Sequence, residues 1–362
     1  MKRIIMTGGG TAGHVTPNIA LIPRLKKLEY DIHYIGTEEG IERKLIEEEN
    51  IQYHSIKAGK LRRYFDMKNF TDTFRIVQGL MQSLTIVSKL KPHIVFSKGG
   101  FVSSPVVWAA WMSGVPVVIH ESDISPGLAN RIAIPFAKKV CYTFPETEKY
   151  ISKEKGVLTG IPVRESLFKG EKVVGRKICD FTGDKPVLLI IGGSLGSEVI
   201  NKTIRGVLKT ILRKYQVCHI CGRGNIDKNY EGIKGYKQFE YVGEELSSLF
   251  AMADLIISRA GATVLYEILA LKKPNILIPL SKKASRGDQI LNAHSFENQG
   301  FSYVIMEEAL DEENILEGID KVYDNRRDYV NKMGLSKARN GIEEVIKVIE
   351  KYGKVKGSKG PS

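Results

Sequence analysis

Short apolar runs, many of them β-branched, recur along the chain and stop at Gly, Ser, Thr or His. Residues 4–6 (Ile-Ile-Met) form the first, and a glycine turn leads from it into a helical stretch over 19–28. Runs of the same kind follow at 32–35, 94–96 and 115–119. Brief runs without a polar residue at every second position suit strands covered on both faces. The helical stretches between them make the strands parallel, because a parallel pair needs a long crossover.

The second half restarts the same grammar. A strand over 186–191 meets a turn, Gly192-Gly193-Ser194-Leu195-Gly196-Ser197, and a helix over 199–214 follows. Later strands are expected at 216–220, 255–258 and 275–279. The repeat is one of architecture, with no short sequence period. The pattern predicts an α/β protein of two doubly wound, Rossmann-like domains facing a cleft, joined near Thr159-Gly160-Ile161-Pro162. At 362 residues and 43% hydrophobic, the chain can bury two such cores. In such domains ligands bind beyond the carboxyl ends of the strands, so the glycine turns and strand ends are where chemistry is expected.

No apolar run reaches 18 residues and no signal-peptide core is present, so a cytosolic protein without a membrane span is expected. The four cysteines, Cys141, Cys179, Cys218 and Cys221, read as reduced thiols. Cys218 and Cys221 have C-x-x-C spacing, but no second pair stands at a matching distance. The net charge is +13, and it is uneven: residues 57–98 hold nine Lys or Arg against Asp66 and Asp72. Such a patch suits nucleic acid, anionic lipid or an anionic substrate, and no nucleic-acid signature accompanies it. Leu61, Tyr64, Phe65, Phe70, Phe74, Ile76, Leu80 and Met81 alternate there with Lys60, Arg62, Arg63, Lys68 and Arg75. That interleaving reads either as a surface that inserts shallowly into an anionic membrane or as a helix core with solvated cations.

Gly8-Gly9-Gly10-Thr11-Ala12-Gly13-His14 follows the first strand and opens a helix, so its N–H groups can approach a phosphate. It formally fits G-x-G-x-x-G with Glu38 past the second strand, which keeps a dinucleotide site open. A tight turn without a ligand is the plainer alternative. His14 is either an inert helix-start histidine or a general base. His120-Glu121-Ser122-Asp123 ends a strand, and two acids with a histidine there point to chemistry rather than packing. Ser258-Arg259-Ala260-Gly261-Ala262-Thr263 leads into another helix, whose start can hold a diphosphate, with Glu267 one turn in to accept from a ribose diol or simply to be a helix carboxylate. Arg286-Gly287-Asp288-Gln289 offers the acceptors and donors that sugar hydroxyls need. No Walker A or D-x-D motif occurs, so no metal and no cofactor is expected.

Taken together and in order, Gly9–Pro17, Lys98-Gly99-Gly100-Phe101-Val102-Ser103, His120-Glu121, Gly192-Gly193-Ser194-Leu195-Gly196, Ser258-Arg259-Ala260-Gly261 and Arg286-Gly287-Asp288-Gln289 resemble the MurG glycosyltransferases. The resemblance covers the chain to about residue 350. It implies a GT-B fold and transfer of GlcNAc from UDP-GlcNAc to lipid I (undecaprenyl-diphospho-MurNAc-pentapeptide), giving lipid II. It also implies a peripheral enzyme on the cytoplasmic face of the membrane, in peptidoglycan synthesis, with other cell-wall synthesis proteins as possible partners. The implied layout is an acceptor- and membrane-facing domain over 1–160, a donor domain over 161–334, a helix over about 335–352 packed back on the first domain, and a disordered tail over 353–362.

Position by position, the resemblance puts Thr11, Ala12 and Gly13 in the loop that meets donor and acceptor, and makes His14 the candidate base. Arg164 falls near the UDP, and Ser194 on its diphosphate. Val242 falls where a backbone reads uracil. Gly261, Ala262, Thr263 and Val264 form the helix start over the phosphates. Glu267 takes the ribose role and Gln289 the GlcNAc hydroxyls. Three positions depart from the family pattern: Asp123 stands for an asparagine that contacts the sugar, Phe101 for a tyrosine and Asp288 for a glutamine. They touch sugar contacts and leave the reaction class unchanged. Alternatives are a related transferase with another lipid acceptor such as diacylglycerol, an NAD-linked oxidoreductase using residues 8–13, and a sugar-nucleotide sensor without turnover.

Overall fold

The computed structural model describes residues 2–59, 68–193, 195–283, 285–336 and 340–353, with backbone alone at 68–73. These residues form two compact units. One holds the described residues up to Arg164 and those from Asn340 onward; the other runs from Glu165 to Ser336.

The first unit carries strands β1 (Lys2–Thr7), β2 (Tyr30–Gly36), β3 (Gln52–Ser55), β4 (Ile94–Ser97), β5 (Val117–Glu121), β6 (Lys139–Tyr142) and β7 (Gly156–Leu158). Its helices are α1 (Thr16–Lys27), α2 (Ile41–Glu47), α3 (Lys68–Leu90), α4 (Ser103–Met112) and α5 (Leu128–Ala133). The second unit has α6 (Lys172–Ile178) ahead of its sheet and carries β8 (Val187–Ile191), β9 (Gln216–Ile220), β10 (Tyr236–Phe239), β11 (Leu255–Ser258), β12 (Asn275–Leu277) and β13 (Tyr303–Val304). Its other helices are α7 (Glu198–Lys214), α8 (Leu246–Met252), α9 (Ala262–Ala270), α10 (Asp288–Asn298), α11 (Glu312–Asp324) and α12 (Arg326–Leu335). The last helix, α13 (Ile342–Tyr352), belongs to the first unit.

Both sheets are parallel throughout, in the orders β3-β2-β1-β4-β5-β6-β7 and β10-β9-β8-β11-β12-β13. Strand order reverses at β1/β4 in the first and at β8/β11 in the second. The final rungs there pair Thr7 with Ser97 and Ile191 with Ser258. Within each sheet the two turns leaving these strands therefore start at the same height, which is where a doubly wound sheet opens a ligand crevice.

Side-chain alternation explains the layering. Ile4 and Met6 pack with Leu21 and Leu25 of α1, whereas Ile5 enters a cluster with Val95, Val106 and Ala109 on the opposite face. With both faces covered, β1 must read as an apolar run. Ile342, Val345, Ile346 and Ile349 of α13 recur at helical spacing and pack into the Ile4 cluster. Arg24 of α1 pairs with Glu343 at 2.9 Å, and Asn340 brackets the backbone of Val163, giving and receiving a hydrogen bond at 2.8 and 2.9 Å.

Most expected elements are present with shifted ends. The strand expected over 115–119 is β5, two residues later; that expected over 275–279 stops at Leu277; and the last helix starts at Ile342 rather than near 335. His120 and Glu121 consequently lie within β5, not beyond it.

Candidate active site

The first glycine turn is built by close approach. Gly9 donates its N–H to Gly99 O at 3.3 Å, and a Cβ on Gly100 would lie 2.2 Å from Gly9 O. Only glycine at 100, with φ +85°, lets the two turns interlock. Glu42 supports them from below. Fully buried, it accepts from Gly10 N at 3.2 Å and from Thr37 N and Oγ1 at 3.0 and 2.6 Å. Glu38, the acid that a dinucleotide reading requires, is instead paired with Lys57 Nζ at 3.2 Å. Ala12–His14 is a single tight turn before α1, and Thr11 Oγ1 lies 3.2 Å from His14 Nδ1. Thr11 and Gly13 are exposed, and Ala12 and His14 are half-buried. A cavity of about 990 Å³ in this unit is lined by Gly10, Glu39, Lys57, Phe74, Arg75 and Phe101.

The acids and histidine at β5 divide into two kinds. His120 is fully buried, with Nε2 2.9 Å from Gly160 O. Burial, and then the charge of Lys98, holds its pKa well below the usual histidine value. Glu121 accepts from Asp123 N at 3.0 Å, Gly127 N at 3.1 Å and Asn130 Nδ2 at 2.8 Å. Both side chains are buried and turned into the fold, contrary to the expectation that residue types of this kind at a strand end mark chemistry. Glu121 satisfies N–H groups of the loop that follows, and His120 meets the backbone beyond β7. Asp123 lies half-buried beyond them; Arg164, half-buried, ends the first of the two segments that make up this unit.

In the second unit the turn after β8 rests on the one after β9: a Cβ on Gly196 would lie 1.9 Å from Cys221 O. Ser197 caps α7, its Oγ accepting from Ile200 N at 3.4 Å. The same Oγ accepts from Arg259 Nη2 at 2.7 Å, and Arg259 Nη1 donates to Ile278 O at 3.1 Å. Glu307 forms an ion pair with Nη2 and accepts from Ser281 N at 3.3 Å. One guanidinium therefore ties together the segments that follow β8, β11, β12 and β13. Burial would raise the Glu307 carboxyl, but hydrogen bonds and charge from Arg259, with help from Ser281, hold it below its usual value.

Gly261 caps α9 in an extended conformation, so Ala262, Thr263 and Val264 form a first turn that contains no acid. Glu267 lies in α9 and is buried. Val242 is half-buried in the segment after β10. Asp288 opens α10 and is paired with Arg286 at 2.5 Å, while Gln289 Oε1 accepts from Leu280 N at 3.1 Å. The four cysteines are free and buried, and among the described residues no His, Cys, Asp and Glu cluster suits a metal ion.

Residues 4–142 match the glycosyltransferase family 28 N-terminal domain and residues 187–349 its C-terminal domain. A Clostridium novyi protein named UDP-N-acetylglucosamine--N-acetylmuramyl-(pentapeptide) pyrophosphoryl-undecaprenol N-acetylglucosamine transferase is 59% identical over 97% of this chain and 99% of its own length. A Clostridium botulinum protein of the same name is 58% identical over 98% and 100%. The crystal structure of Acinetobacter baumannii MurG superposes with a TM-score of 0.76 at 26% identity, covering 97% of this chain and 100% of that one. The chain belongs to glycosyltransferase family 28, in its MurG group.

Within that family frame, the structure distributes the expected residues over the two units. Thr11, Ala12, Gly13, His14, Asp123 and Arg164 lie in the first; Val242, Gly261, Ala262, Thr263, Val264, Glu267, Asp288 and Gln289 lie in the second. Ser194 lies outside the described residues. Glu42 and Glu307 were not expected. Glu42 stands seven residues past the second expected strand, and nothing in its neighbours marks it. Glu307 meets Arg259 only because β13 joins the sheet beside β12. Arg259, although inside a family motif, carries no local sign of its bracing role.

Proposed function

We propose that this chain is an inverting transferase in which His14 takes the proton and the second unit holds the nucleotide. The enzyme transfers GlcNAc from UDP-GlcNAc to lipid I, forming lipid II. The observation that carries this reading is full-length identity near 59% to a transferase of that name, combined with glycine turns at the switch points of both sheets. The 4-hydroxyl of MurNAc attacks the anomeric carbon of α-linked GlcNAc, and UDP departs from the opposite face. Nε2 of His14 receives the hydroxyl proton, with Thr11 Oγ1 at Nδ1 to orient the ring. Ser194, Arg164 and the start of α9 stabilise the charge on the leaving diphosphate. Glu267 accepts from the ribose, the backbone at Val242 reads uracil, and Asp123, Asp288 and Gln289 contact the sugar. Leu280 N–H already occupies Gln289 Oε1, so the amide Nε2 is the group that Gln289 offers.

The acceptor's lipid keeps it in the bilayer, so the enzyme works at the cytoplasmic membrane face. No helix among the described residues is long and apolar enough to cross a membrane. Phe74, Val77 and Met81, spaced along one face of α3, are 72%, 54% and 61% exposed, and Trp111 and Met112 are exposed at the end of α4, which packs on α3. Arg75 stands beside Phe74. This surface supports shallow insertion between anionic headgroups. Residues 60–67 of the expected patch, including Arg62 and Arg63, lie outside the described residues.

The decisive experiment is UDP release from UDP-GlcNAc with and without a soluble lipid I analogue. Release that depends on the analogue is expected; equal release without it, or release driven by diacylglycerol instead, overturns the reading.

A further inference from the structure

Lys98 follows β4 and is 1% exposed. Its ammonium donates to Ser122 Oγ, and its backbone N–H donates to Thr7 O at 2.8 Å. A Cβ on Gly8 would lie 3.0 Å from Lys98 Cβ, so the stem runs against the first glycine turn. A buried ammonium is unfavourable unless counter-charges are close. Here they are the carboxylates of Glu121 and Asp123, which favour its charged form.

The two carboxylates are placed differently. Glu121 is held by three N–H donors and acts as scaffold. Asp123, half-buried beyond it, places a second negative charge beside that buried glutamate. The strain shows on Glu121, whose carboxyl is raised first by burial and then by Asp123. Lys98 is the buried cation that faces both carboxylates.

We propose that Lys98 is a positioning residue whose buried ammonium balances Asp123 and holds the 122–127 loop, so that Asp123 meets the transferred sugar as an ionised carboxylate. An ionised carboxylate only accepts hydrogen bonds, whereas asparagine also donates. This site therefore selects hydroxyl and N–H donors on the sugar. The proposal rests on the reading of Asp123 as a sugar contact.

Burial brings the Lys98 pKa down to about 8 despite the two carboxylates. The charged and titratable groups facing it are Glu121, Asp123 and the neutral His120. Turnover should accordingly fall as pH rises through that value, because deprotonation leaves the two carboxylates unbalanced.

The test compares Lys98→Met, Asp123→Asn and the double variant, using UDP release with a lipid I analogue. Lys98→Met should lower kcat/KM by about tenfold or more, and adding Asp123→Asn should recover most of that loss. Asp123→Asn alone should flatten the alkaline fall, since with residue 123 neutral the loss of the Lys98 charge no longer leaves two carboxylates unbalanced. Losses that simply multiply, or an alkaline limb that persists unchanged in Asp123→Asn, overturn the proposal. If Lys98→Met does not fold, the limb in Asp123→Asn decides alone. If the wild type does not act on the analogue, the functional reading fails. The same cycle read in melting temperature against pH then decides the pairing, and independent shifts reject it.

Discussion

Glu307→Ala removes the carboxylate from Arg259 and leaves a guanidinium whose side chain is 11% exposed; that of Glu307 is 13% exposed. Removing one partner of a buried pair costs about 3–5 kcal/mol, because the remaining charge stays desolvated. For a unit of this size each kcal/mol lowers the melting temperature by about 2–4 °C, so a fall of about 6–20 °C is expected. Glu307→Gln keeps a hydrogen bond to Arg259 and should cost about 1–2 kcal/mol. The pH dependence has a definite sign. The folded carboxyl lies below its usual value, so its stabilisation is complete above the unfolded pKa of about 4.3 and is lost as pH falls through the folded pKa. Wild type and Glu307→Ala should therefore differ by a constant amount at neutral pH and converge only below about pH 4. Function should separate from stability in Arg259→Met/Glu307→Leu. An apolar pair can restore stability, but the ties to Ser197 and Ile278 O are gone, so UDP affinity should stay about tenfold or more below wild type. Calorimetry gives both quantities. A loss under about 1 kcal/mol in Glu307→Ala, or full UDP affinity in the double variant, would refute the bracing role.

His14→Ala should lower kcat by about 10²–10⁴-fold with UDP affinity unchanged; a near-normal kcat in steady-state assays removes His14 as base. Glu267→Ala should weaken UDP and UDP-GlcNAc equally, whereas Gln289→Ala should weaken UDP-GlcNAc more; isothermal titration with both ligands distinguishes them, and equal losses at Gln289 mean that it does not touch the sugar. Transfer should persist in EDTA, and activity lost there and restored by Mg²⁺ or Mn²⁺ would reveal an ion site. Replacing Arg62, Arg63, Lys68 and Arg75 with Gln should reduce cosedimentation with anionic vesicles while turnover of a soluble acceptor remains, each cation contributing on the order of 1 kcal/mol; unchanged sedimentation would show that the membrane face lies elsewhere.

What could be read from the chain depended on how local its cause is. Central strands such as 4–6, 186–191 and 255–258 are legible because burial on both faces leaves apolar runs. The edge strands β3 (Gln-Tyr-His-Ser) and β10 (Tyr-Lys-Gln-Phe) carry partly exposed, polar sequences and give no such signal. Glycine turns announce themselves through conformational need. The partners that steady them do not: Glu42 meets Gly10 from a separate helix, and Arg259 meets Glu307 through sheet order. His120 and Glu121 depart from their sequence expectation for the converse reason. Their chemistry is local, but the direction in which they turn is set by the β5–β6 neighbours and by Gly160.

The return of α13 to the first unit has a consequence for how the molecule is made. Ribosomal synthesis delivers the chain from its amino end, yet the face of β1 and α1 formed by Ile4, Met6, Leu21 and Leu25 waits for Val345, Ile346 and Ile349. Every residue of the second unit has been translated before those arrive. The unit begun first is thus completed last, and until then it exposes an apolar face of the kind that chaperones retain. A ribosome that stalls or a protease that trims the chain before Ile342 leaves the later-born unit whole and the earlier one unfinished.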